Sequence, residues 1–227
     1  MGQNINKAKK RLTTPRAAAV AGIVFSVLLI ASLVLFRIST PPNLAGNRDW
    51  LADNWQGIQL ALNLVPFAGI AFLWIIGVVR DRRGEEEDRF FATVFLGSGL
   101  LFLAMLFAAA AVAGGTLSLL GAGSPALPGS TIYSFGRVVS YEILNVYSMK
   151  MAGVFMISTC TLALRTGIFP RWMAFLGLVL ALFLLLSLGL FYWAPVVFPL
   201  WILLISVEIL MANLRHQNSD PNTANAE

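Results

Sequence analysis

The sequence predicts an all-α, polytopic membrane helix bundle with about six transmembrane helices and both termini on the cytoplasmic side. Three observations carry that expectation. The 227 residues are 58% hydrophobic and only 12% charged, with a mean hydropathy of +0.77, far more apolar than the roughly 45–50% usual in soluble domains. Apolar runs of about twenty residues recur along the chain, each able at about 1.5 Å per residue to cross a roughly 30 Å hydrocarbon layer. Lys and Arg gather in alternate connections, the pattern that membrane insertion leaves behind.

Residues 1–16 are polar and basic, with Lys7, Lys9, Lys10, Arg11 and Arg16. They hold too little apolar surface to bury a core, so a mobile cytoplasmic tail is expected. Helix one is expected over 17–36, a run without a charge. A basic start and an apolar run also fit a signal peptide, but 37–47 lacks a small-x-small cleavage site, which favours an uncleaved anchor. Leu51, Trp55 and Ile58 recur at i, i+4 and i+7 and predict a short interfacial helix leading into helix two.

Helix two is expected over 58–79, bent at Pro66, which cannot donate the usual main-chain hydrogen bond. The turn from Arg80 to Arg89 carries four consecutive acidic residues without the spacing of a calcium loop, and reads as a solvated linker. Helix three is expected over 90–113, with an extension toward Leu120 beyond Gly114 and Gly115. A loop containing Gly121, Gly123, Pro125, Pro128 and Gly129 leads to helix four at 138–164, the longest and most polar span. Helix five (172–191) and helix six (195–213) are separated by so few residues that they must be antiparallel neighbours. Residues 214–227 form a second polar cytoplasmic tail.

Charge sets the orientation, because Lys and Arg in short connections are retained in the cytoplasm. Twelve lie on that side: the five in 1–16, then Arg80, Arg82, Arg83, Arg89, Arg165, Arg171 and Arg215. Three lie outside, Arg37, Arg48 and Arg137, while Lys150 falls within a span. Trp50, Trp55, Trp193 and Trp201 are expected near the outer interface and Trp74 and Trp172 near the inner one. Small residues at helical spacing, Ala18/Gly22/Ser26, Ala104/Ala108, Ala109/Ala113 and Gly177/Ala181, are expected at helix contacts. The stretch Pro15 to Phe36 matches Pro170 to Phe191 at ten of twenty-two positions, including Gly22/Gly177. Leucine-rich spans reach such likeness by chance, and helices two and six show no comparable match.

Several chemistries are excluded. Cys160 is the sole cysteine and His216, in the polar tail, the sole histidine, so no intrachain disulfide, cysteine cluster or bis-histidine ligation can form. No metal site or cofactor is expected. The net charge of +5 is accounted for by helix ends, and nucleic-acid binding is not expected. Phosphate-loop, nucleophile-elbow and zinc-protease motifs are missing, which argues against an enzyme.

The functional leads are polar residues inside spans, where a charge costs about 2.5–3.5 kcal/mol on insertion scales. Glu142, Asn145 and Lys150 lie on helix four and Glu208 on helix six, with Asn63 on helix two at a depth like that of Glu142. Counting inward, Lys150 lies about 13 Å deep and Glu208 about 18 Å deep, which suggests an ion pair between them. These five residues are the candidate binding set for a small polar solute or ion. The alternative is a non-catalytic subunit or scaffold that meets a second copy or other membrane subunits through its small-residue stripes.

The stretch Arg165-Thr-Gly-Ile-Phe-Pro-Arg-Trp172, with Glu208 and Trp201 in the final helix, resembles bacterial six-helix membrane proteins grouped as a domain of unknown function. The resemblance covers roughly the last third, with a weaker echo at helix one. Asn63 to Gly69 and Glu87 to Thr93 are similar to stretches of uncharacterised bacterial membrane proteins too. It implies six helices and a bacterial inner membrane, and brings no activity, cofactor or partner beyond the bilayer.

Overall fold

The computed structural model describes residues 2–39, 48–81, 89–121, 131–167, 169–186, 191 and 193–218. Seven α-helices follow one another: α1 (Gly2–Ser39), α2 (Arg48–Asp81), α3 (Arg89–Gly121), α4 (Thr131–Glu142), α5 (Met149–Thr166), α6 (Arg171–Leu186) and α7 (Ala194–Asn218). A π-wound segment, Ile143–Ser148, fuses α4 to α5, so the described chain forms six rods. No strand occurs among the described residues. Lipid demands this solution, because every main-chain polar group must be satisfied within the span.

Five rods contain stretches long and apolar enough to cross a membrane: Arg16–Ser39, Asn54–Val78, Ala92–Leu119, Thr131–Thr166 and Ala194–Arg215. The protein is therefore an all-helical, multi-pass membrane bundle. Helix α6 is described over 16 residues, about 24 Å of rise; residues 187–190, the outer end of the expected helix five, lie outside the described residues. Large apolar side chains face outward on these rods, among them Phe67, Trp74, Phe135, Val179 and Leu186, as a lipid-solvated surface requires.

The helices overrun their apolar runs. The backbone of α1 is helical from Gly2, so the segment expected as a mobile tail continues the rod; its Lys, Ala and Arg residues are good helix formers. The expected interfacial helix around Trp55 is the start of α2 itself, which runs unbroken from Arg48 through Pro66. Helix α3 continues past Gly114 and Gly115 to Gly121, and α7 extends to Asn218. The glycine- and proline-rich loop is helical again from Thr131, while 122–130 and the charged turn at 82–88 lie outside the described residues.

Helix α1 packs on α2 and α7, α3 packs on α2, α4, the π segment and α5, and α5 packs on α6. Side-chain bonds tie rods together: Ser32 Oγ donates to the Ala61 carbonyl at 2.7 Å, and Ser148 Oγ to the Phe102 carbonyl at 3.4 Å. The middle of the bundle is aromatic. Phe25, Phe72, Phe102, Phe155 and Phe198 are fully buried, with ring centroids 4.8 Å apart for Phe25–Phe72 and Phe102–Phe198 and 5.1 Å for Phe72–Phe155. Tilted and edge-on rings of this kind contribute about 0.5–1.5 kcal/mol per pair beyond their buried area.

Small residues set the closest approaches. Gly22 on α1 meets Ser206 of α7, and Gly177 on α6 meets Trp201 of α7 and Cys160 of α5. The two glycines that match in the internal similarity thus both abut α7. Ser26, Ala109, Ala113 and Ala181 are buried as expected of contact stripes, but Ala104 is exposed. Trp201, expected near the outer interface, is 2% exposed and packs in the core. The α5–α6 connection explains the Gly-x-x-Pro-Arg-Trp stretch as punctuation. Gly167 adopts φ 67°, donating its N–H to the Ala163 carbonyl at 2.8 Å, and α6 restarts one residue after Pro170.

Candidate functional site

A partly open cavity of about 340 Å³ lies between the last turns of α1 and α3 and the first half of the α4–α5 rod. Helical periodicity builds each wall. Leu33, Phe36 and Arg37 come from one face of α1, and Ala113, Thr116 and Leu117 from one face of α3, both at spacings of three and four. Tyr133, Arg137, Ser140, Tyr141 and Leu144 form one stripe along α4 and the π segment, ending at Asn145. Gly136 lets α4 approach α3, because a side chain there would run into Thr116.

Polar and apolar side chains both line the cavity. Arg37 is half-buried, with its guanidinium carbon 5.0 Å from the ring centre of Trp193, a cation–π geometry that orients it. Arg137 is exposed, and Tyr133, one turn before it on α4, is buried. The Thr116 hydroxyl donates to the Val112 carbonyl at 2.7 Å. Among the described residues no carboxylate lines the cavity.

Asn145 closes the inner end. It is 2% exposed, and its Nδ2 donates to the Tyr141 carbonyl at 3.0 Å while its Oδ1 has no partner. The π winding accounts for the bond. Its wider turn shifts main-chain pairing by one residue, and the side-chain amide supplies a donor to a carbonyl at that shift. One turn deeper lie Ser148 and Phe102, where the aromatic core begins.

Of the five residues expected from sequence, the structure brings Asn145 to the cavity and places the others elsewhere. Glu142 and Asn63 are exposed, and Lys150 and Glu208 are half-buried. No ion pair joins Lys150 to Glu208 among the described residues. The hydroxyls of Ser158, Thr159 and Thr161 donate to carbonyls one turn back at 2.8–3.0 Å, so the remaining polarity of α5 is spent locally. Sequence reading missed Arg37, Arg137, Tyr133 and Thr116 as a site. The one signal was that Arg37 and Arg137 are two of the three cations that the charge count assigns to the outer side, both adjoining an apolar run. Comparison with protein-family models, with curated proteins and with solved structures finds no match for this chain.

Proposed function

We propose that this membrane protein resides in a bacterial inner membrane, with both ends cytoplasmic, and binds a small polar solute in the cavity closed by Asn145. The observation that carries the reading is a buried amide with an unpartnered oxygen at the end of a recess lined by two arginines. Leaving such a group unsatisfied costs about 1–3 kcal/mol, a cost that a bound solute removes. Binding fits better than passage, because the fully buried phenylalanine cluster fills the bundle just below the cavity. The twelve-to-three Lys and Arg asymmetry supports the orientation, which opens the cavity away from the cytoplasm. Kinship with the six-helix group resembled at Arg165 to Trp172 belongs to the same proposal and adds no activity.

Thiol accessibility tests it. In S140C, a membrane-impermeant maleimide added from outside should label residue 140, while Cys160, 0% exposed, stays unmodified until the protein is denatured. Labelling from the cytoplasmic side alone would reverse the orientation, and no labelling from either side would remove the solvent-connected cavity.

One observation favours a second reading, a non-catalytic subunit. Lys150 lies mid-rod, half-buried and without an ion pair among the described residues, so a carboxylate from another chain could neutralise it. Crosslinking from position 150 in native membranes discriminates, since a partner captured there supports the subunit reading.

A further inference from the structure

We propose that the cavity's ligand is a small alcohol or phenol, an apolar body carrying a hydroxyl that donates to Asn145 Oδ1; this deepens, and rests on, the binding function above. Chemistry fixes which way round the Asn145 amide sits. A main-chain carbonyl only accepts hydrogen bonds, so the atom 3.0 Å from the Tyr141 carbonyl is the donating Nδ2. Oδ1 is then the atom left without a partner, on a residue that is 2% exposed and lines the cavity. The Thr116 hydroxyl lines it too, and donates its single proton to the Val112 carbonyl at 2.7 Å, which leaves it lone pairs and no donor. Toward a ligand, both neutral groups are therefore acceptors.

Acceptors select a ligand by its protonation state. An ionised carboxylate offers lone pairs alone and would set oxygen against oxygen at Asn145. An ammonium has donors, but a neutral amide does not replace the hydration that its charge loses. A hydroxyl donates one bond and brings no charge. The body of the ligand follows from the aliphatic and aromatic part of the lining, Leu33, Phe36, Ala113, Leu117 and Leu144. An apolar cavity of roughly 150 Å³ takes up benzene, so a cavity of about 340 Å³ accommodates about a dozen non-hydrogen atoms. That is the size of a bicyclic phenol.

The test titrates intact protein in a nonionic detergent at neutral pH, following the melting temperature. Its probes are 2-naphthol, the methyl ether 2-methoxynaphthalene, which keeps the body and loses the donor, and ionised 2-naphthoate. In wild type, 2-naphthol should raise the melting temperature saturably and 2-naphthoate should not. Comparing one probe between proteins cancels its partition into micelles. N145L should weaken 2-naphthol by about tenfold, the contribution of a buried hydrogen bond, and change the ether by no more than about twofold. N145A, which brings no risk of overpacking, should show the same split should N145L fail to fold. A113L, which narrows the cavity, should remove the response to both probes. Unchanged binding of 2-naphthol in the Asn145 variants, equal weakening of 2-naphthol and ether, or 2-naphthoate as effective as 2-naphthol each overturns the donating hydroxyl; a response still lost in A113L then leaves the binding cavity standing. No saturable response to 2-naphthol overturns the hydroxyl-bearing ligand outright, and the labelling of S140C decides separately whether the cavity itself stands.

Discussion

The side-chain amide of Asn145 donates to the main-chain carbonyl of Tyr141 at 3.0 Å, inside the only π-wound turn among the described residues. A π turn fits one extra residue into a helix without changing the direction of the rod. The stripe Tyr133, Arg137, Tyr141 above it faces the cavity, while Met149, Ala152 and Phe155 below it face the core. The same turn that leaves a polar amide in the membrane domain therefore sets the register between the recess and the packed bundle.

Removing the extra residue tests that relationship. Deleting Val146 should let Ile143–Ser148 rewind as an α-helix with the flanking faces roughly in register, giving a folded protein whose melting temperature changes by only a few degrees. Deleting Met156, fully buried within α5, should rotate everything beyond it by about 100° and abolish monodisperse expression. Equal damage from both deletions would mean that the π turn is not an inserted residue.

Glycine positions separate contact from mere flexibility. A methyl at Gly177 meets Cys160 Sγ and the Trp201 indole, and one at Gly22 meets Ser206 Oγ, whereas nothing lies within 4 Å of the position at Gly77. Overpacking costs about 1–3 kcal/mol, so G22A and G177A should each lose that much in reversible unfolding in mixed micelles. G77A should be neutral or gain up to about 1 kcal/mol, from helix propensity alone. A stabilised G177A would show that α6 can slide away from α7.

The aromatic core gives a third measurement. Phe72 touches Phe25, Phe102, Phe155 and Phe198, with centroids 4.8–5.8 Å away, and is fully buried. F72A should cost about 3–5 kcal/mol through the void it leaves. Exposed Phe67, 61% accessible on the same helix, should tolerate alanine within about 0.5 kcal/mol in micelles. Comparable losses at both positions would mean that the cluster is not tightly packed.

The rods were readable because a hydrocarbon solvent leaves one option, and their cores follow directly from runs such as 17–36 and 58–79. Their ends were not, since lysine, alanine and arginine in 7–16 continue a helix as readily as they form a tail. Asn145 was readable as an amide within a span. Arg37 and Arg137 were not readable as a pair, because each had already been explained by topology as a loop cation, and only three-dimensional packing brings the end of α1 beside α4. The π turn carries no composition that distinguishes it from its neighbours. Lys150 and Glu208 were matched by depth alone, and depth says nothing about the direction in which a side chain leaves its helix.

That last point yields a measurement in which independence is the expected result. Lys150 and Glu208 lie on helices that touch, yet no ion pair joins them among the described residues. Replacing Lys150 by Met removes a charge that is half-buried mid-rod, and replacing Glu208 by Gln removes one near the far end of α7. If each side chain acts alone, the unfolding free energy of K150M/E208Q should equal the sum of the single changes within about 0.5 kcal/mol. A paired carboxylate and ammonium would behave otherwise, because the first substitution strands a charge that the second removes, and the double variant then recovers part of the loss. Repeating the cycle at several protein concentrations adds a second axis. Should coupling emerge only when the protein is concentrated, the partner of Lys150 is a carboxylate on another copy of the chain, and the subunit reading displaces the solitary binding protein.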